Sequence, residues 1–136
     1  MIEKSLSQIQ EGTIVKTAVI ILGHGSRNSG SGDSLRQLAA EVKRLGMFEV
    51  VEYAYLQYAA PAPQSAFESC VRQNVERIVI VPFFMQPGAH VARDVPALAE
   101  KAKRQYPTVD IVVTDYAGSH PLMTKIIVDL VRTSSG

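Results

Sequence analysis

Two short runs in this chain are apolar without interruption, AVIIL at residues 18–22 and IVIV at residues 78–81. A strand with one wet face alternates apolar and polar side chains, whereas a strand covered on both faces has no need of polar positions. These runs therefore read as inner strands of a parallel sheet enclosed by helices. VVEYAYL at residues 50–56 and VDIVVT at residues 109–114 supply two further strands.

Between the strands the apolar period becomes helical. Leu35, Leu38, Ala39, Val42 and Leu45 make one stripe, with Gly46 as a C-terminal stop. Phe67, Cys70, Val71, Asn74 and Val75 share one face of a second helix. A third is expected to open at Arg93, with Asp94 as its N-cap and Pro96 in its first turn. A closing helix covers residues 121–132 and carries Leu122, Ile126, Ile127, Leu130 and Val131. Strands and helices that alternate about once per thirty residues imply right-handed crossovers, hence an α/β domain built on a four-stranded parallel sheet. A chain of 136 residues, 46% hydrophobic, has room for one such domain. Residues 17–136 are assigned to it and residues 1–16 to an N-terminal extension.

Composition narrows the function. A formal charge of +1, with no basic run, argues against nucleic acid or an anionic membrane as the main partner. No apolar stretch approaches the roughly eighteen residues of a spanning helix. Residues 1–16 alternate polar and apolar too often for a signal peptide, and one cysteine cannot form an internal disulfide. Both point to the cytoplasm.

In open α/β sheets ligands bind beyond the carboxyl ends of the strands. His24 lies there after the first run, between Gly23 and Gly25, which permit a tight turn and a close backbone approach. His90 follows the third strand, so two of the chain's three histidines meet at one edge. Two converging imidazoles without a cysteine cluster suit zinc, cobalt, nickel or iron better than a hard ion. Gln57 follows the second strand, Phe84 and Gly88 the third, and His120 the fourth. Structural roles compete for each of them. His24 could cap a helix, His90 could be solvated in a loop, Gln57 could support a ligand rather than be one, Phe84 could be core, and His120 could cap the closing helix. Cys70, on an apolar helix face, reads as packed rather than reactive.

Three segments, GHGSR at 23–27, AYLQYAAP at 54–61 and VPFFMQPGAHVARDVP at 81–96, resemble the short-form sirohydrochlorin chelatases of the cobalamin and siroheme pathways, members of the wider class II chelatases. The resemblance runs from about residue 18 to residue 131. It implies a three-layer, flavodoxin-like α/β unit that inserts a divalent metal, cobalt or alternatively nickel or iron, into sirohydrochlorin without ATP, a lyase activity. It implies a homodimer whose halves mimic a longer two-domain chelatase. It implies that His24 and His90 are the metal ligands, and in catalysis they suit proton acceptance as well, because neutral imidazole does both. Gln57 stands where the family usually carries a glutamate and is the third candidate metal position. An amide brings no negative charge and cannot act as a base, so proton removal would fall to the histidines. Ser26, Arg27, Phe84, Gly88, Arg93 and His120 are the candidate substrate contacts, the arginines as bidentate grips on tetrapyrrole carboxylates.

Two other readings stand beside the enzyme. One is a noncatalytic carrier or sensor of tetrapyrrole or metal with the same fold, suggested by Gln57. The other, an anion cradle in GHGSRNSGSG, is weaker, because that stretch lacks both the P-loop lysine and the GxGxxG spacing.

Overall fold

Four parallel strands order the chain, β1 (Thr17–Gly23), β2 (Val50–Tyr55), β3 (Arg77–Pro82) and β4 (Asp110–Val113), in a computed structural model that describes residues 15–25 and 32–134. They lie side by side as β2-β1-β3-β4. The chain steps outward from β1 to β2 and then returns across β1 to β3, so β1 and β3 flank the point where strand order reverses. Four helices connect and follow them: α1 (Gly32–Arg44), α2 (Pro63–Arg72), α3 (Ala89–Gln105) and α4 (Leu122–Arg132), with a single 3-10 turn at Ala117–Ser119.

The apolar runs do what their composition demands. Ala18, Ile20 and Leu22 of β1 face α2 and α3 together with Ile78 and Ile80 of β3, and all five are essentially inaccessible to water. Val19 and Ile21 point the other way, into a second cluster with Leu35 and Ala39 of α1. β1 is thus buried on both sides, and each of its large side chains contributes about 1.5–3 kcal/mol of burial free energy. The result is the three-layer α/β arrangement expected for a flavodoxin-like unit, with β2-β1-β3-β4 as the middle layer.

Cys70 sits in the α2 layer at 0% exposure as a free thiol. Burial, followed by the charge of Glu52 in mid-β2, pushes its pKa up to about 12, so it is packed and inert as its helix face implied. Among the described residues no helix is long and apolar enough to cross a membrane.

Two helix boundaries differ most from the sequence expectation. α2 ends at Arg72 rather than continuing through Asn74 and Val75, because Asn74 turns the backbone to φ +59. Val75 is still buried, but as the lead into β3. α3 begins at Ala89, not at Arg93: its N-cap is Gly88, and Asp94 lies inside the helix. Pro96 is correspondingly interior rather than in the first turn. A glycine cap offers no side-chain oxygen, so the start of α3 left no polar signature in the sequence. The last correction carries a functional consequence, since it lifts His90 out of a loop and onto a helix.

Candidate functional site

His24 is the first residue beyond β1, and the ladder between β1 and β2 continues past the strand ends to hold it. The Leu56 N–H donates to the Gly23 carbonyl at 2.9 Å and the Gln57 N–H to the His24 carbonyl at 3.1 Å. Gly25 then takes φ +98, a conformation that side chains rarely adopt, and a Cβ placed there would lie 1.7 Å from the Gln57 carbonyl oxygen. Only glycine lets the two loops touch. Their contact brings the Gln57 side chain to the imidazole.

The hydrogen bonds of that imidazole settle its tautomer. His24 Nδ1 lies 3.1 Å from the Gly25 carbonyl oxygen, which can only accept, so Nδ1 carries the proton. The Gln57 Nε2 amide, which can only donate, lies 3.2 Å from His24 Nε2. Nε2 therefore carries the ring's lone pair, taken up here by the Gln57 amide, and the Gly25 carbonyl holds the ring from the other side. Helix capping by His24 does not occur among the described contacts.

His90 arrives from a different direction. Gly88, extended at φ −71 and ψ 173, caps α3, and the Ala92 N–H donates back to its carbonyl at 2.9 Å. His90 is in the first turn. His24, Gln57 and His90 all line one cavity of about 490 Å³ at the carboxyl edge of the sheet, whose walls continue down between α2 and α3. The sheet reversal between β1 and β3 thus brings the two histidines to one space, as their places after two inner strands foretold.

Sequence reading missed four polar side chains in the same wall: Gln64 at the start of α2, and Asp94, Lys101 and Gln105 on α3. His90, Asp94 and Lys101 share the face of α3 that looks into the cavity, spaced at i, i+4 and i+11. Asp94 puts a negative charge one turn from His90. Lys101 puts a positive charge deeper along the wall, about 16 Å from His90 by helical rise. Among the described residues, no group of three or more His, Cys, Asp and Glu side chains is arranged to hold a metal ion.

The other candidates fall elsewhere. Ser26 and Arg27 lie outside the described residues. Arg93 is exposed on α3 and is not among the residues that line this cavity. Gly88 acts through its backbone as the cap. Phe84 is 9% exposed in the core and borders a smaller cavity of about 230 Å³ between α3 and β4. His120 Nδ1 accepts the Leu122 N–H at 3.1 Å, so its ring closes the start of α4.

The CbiX family model matches residues 18–134. The chloroplastic sirohydrochlorin ferrochelatase of Arabidopsis thaliana is 32% identical over 114 residues, which is 84% of this chain and 51% of that protein. The sirohydrochlorin cobaltochelatase of Methanopyrus kandleri is 29% identical over 139 residues, 88% of this chain and 97% of that protein. Among solved structures, the sirohydrochlorin chelatase SirB from Bacillus subtilis subspecies spizizenii, in complex with cobalt, superposes with a TM-score of 0.77 at 26% identity, covering 86% of this chain and 50% of that one. The chain therefore spans about half the length of two of these three. With the family model matched over residues 18–134, nearly its whole described length, this chain belongs to the CbiX family.

Proposed function

We propose that this protein is a sirohydrochlorin chelatase, placing a divalent metal, cobalt or alternatively nickel or iron, into the reduced tetrapyrrole without ATP. The observation that carries this reading is the meeting of His24 and His90 from either side of the strand-order reversal in one cavity large enough to receive part of a macrocycle. The similar proteins named above, a ferrochelatase and a cobaltochelatase among them, support the substrate and leave the metal open between cobalt and iron.

The chemistry follows from the residues. His24 offers Nε2 to the cation while Gly25 keeps the ring in place. The Gln57 amide leaves Nε2 as the metal arrives, and its Oε1 is the neutral donor it can then present. Insertion exchanges two pyrrole N–H protons for one divalent cation. As the pyrrole nitrogens take the metal, each imidazole recovers a free lone pair able to accept a proton near neutral pH. Asp94 gives the cavity the negative charge that Gln57 lacks, and Lys101 is a counter-charge for a peripheral carboxylate of the substrate. A homodimer completes the reading, and a buried free cysteine is in keeping with the reducing cytoplasm.

Gln57 favours one second reading, a noncatalytic carrier or sensor, because an amide bonded to His24 can hold a metal site together without moving protons. Purified protein with sirohydrochlorin and Co(II), Ni(II) or Fe(II) separates the two. A chelatase brings up the metallated absorption spectrum faster than a protein-free control. Tight tetrapyrrole binding with no acceleration for any metal would leave only the carrier.

A further inference from the structure

Of the chain's three histidines, two are bonded in place, His24 at both ring nitrogens and His120 at Nδ1. His90 has no side-chain hydrogen bond or ion pair among the described residues, and neither has Asp94, four residues further along α3. Both are exposed, and both line the cavity that holds His24 and Gln57. The cavity therefore has a closed half, built on the sheet, and an open half on the helix.

Asp94 has no structural task at its position. Gly88 is the N-cap of α3, and no side chain bonds the first turn. The first main-chain bond of the helix runs from the Ala92 N–H to the Gly88 carbonyl, so Asp94 lies past the free N–H groups that a cap would satisfy. Lys101, on the same face, is two turns on, about 10 Å by helical rise, and the ion pairs among the described residues are elsewhere. The carboxylate is left facing the cavity beside His90.

Helix geometry sets the two groups side by side. Positions four apart are neighbours on a helix surface, with about 5–6 Å between their Cβ atoms. Side chains also lean toward the N-terminal end of their helix, which carries the Asp94 carboxylate back over the turn that bears His90. At that spacing one carboxylate oxygen and one imidazole nitrogen can reach a single cation from the same side and leave its other positions to water.

We infer that His90 and Asp94 form a two-point chelate on which the divalent cation first lands, before His24 takes it. The cation meets this pair directly, whereas His24 Nε2 is held by the Gln57 amide and has to be released first. Asp94 supplies the attracting charge. His90 supplies the preference for cobalt, nickel or iron over a hard ion. Two protein ligands hold a metal only loosely, which suits a cation that is a substrate. This rests on the chelatase reading and gives the same cavity an order of filling.

Cobalt(II) alone, titrated calorimetrically into the full chain, tests it. D94N is expected to weaken cobalt binding at least about tenfold, the scale on which even an outer partner of a metal ligand tells. D94H restores a ligand at the same place without its charge. It is expected to bind cobalt as tightly as the unmodified protein or more so, and to lose that binding when combined with H90A. H24A is expected to lose less affinity than D94N. An undiminished D94N would overturn the chelate, as would an unmodified protein that binds no cobalt. Equal losses in D94N and D94H would also overturn it, since Asp94 would then act only as a distant charge. A loss in H24A as large as that in D94N would overturn the order of filling. Insertion of cobalt into sirohydrochlorin judges the chelatase reading separately. Insertion together with an undiminished D94N removes only the landing pair, whereas the expected titrations without insertion keep the pair and remove the chelatase.

Discussion

The two histidine-bearing turns are built on opposite principles. The turn after β1 is stitched on every side: main-chain bonds to Leu56 and Gln57, a glycine at φ +98 pressed on a neighbouring carbonyl, and an imidazole bonded at both nitrogens. The turn after β3 has an uncrowded glycine cap with open space around it, and its imidazole rides on the first turn of a helix. One imidazole is fixed by the sheet and the other is delivered by a helix end. Similar residues thus reach one cavity with very different freedom, and glycine means different things in GHG and in PGAH.

The largest test of the pair is removal of each imidazole. H24A and H90A should each slow metal insertion by about 100-fold or more, the scale of a lost proton acceptor, while urea melts move by less than about 1 kcal/mol because both side chains are exposed. Unequal losses would show that the fixed and the delivered imidazole do different work. G25A comes next. It places a methyl group against the Gln57 carbonyl in a disfavoured conformation and should cost about 3 kcal/mol in urea unfolding, with loss of metal binding. Q57E should raise metal affinity and insertion rate about tenfold by restoring charge beside His24, and a fall in both would show that the amide's bond to Nε2 is itself what the site needs. The smallest effect belongs to the other glycine: G88A should cost only about 0.5 kcal/mol, and G88S should recover it by giving α3 a side-chain cap. If G25A and G88A proved equally mild, the contrast between the two turns would collapse.

Much of this was legible from residue order. The inner strands announced themselves as apolar runs, and once β1 and β3 were neighbours the approach of His24 and His90 followed from topology. What stayed hidden has physical reasons. The start of α3 has no local signal, because Gly88 caps without a side chain and Pro96 imitates a first-turn proline, so Asp94 reads as a cap although it is a cavity residue one turn from His90. Lys101 and Gln64 were invisible because they become site residues only when α2 and α3 stand opposite each other, a relation between distant segments that no local period encodes. The Gln57 bond to His24 depends on a two-loop contact of the same non-local kind.

Pro96, interior to α3, has no N–H to donate to the Ala92 carbonyl. The helix is thereby divided into a short leading segment, which carries His90, and a longer one anchored in the core by Ala99 and Ala102. The leading segment is the cheaper of the two to loosen, and amide protons there should exchange with solvent well before those of the anchored turns. In the proposed chelatase, handing a cation onward would need a ligand that can let go. α3 lacks a main-chain hydrogen bond just behind His90.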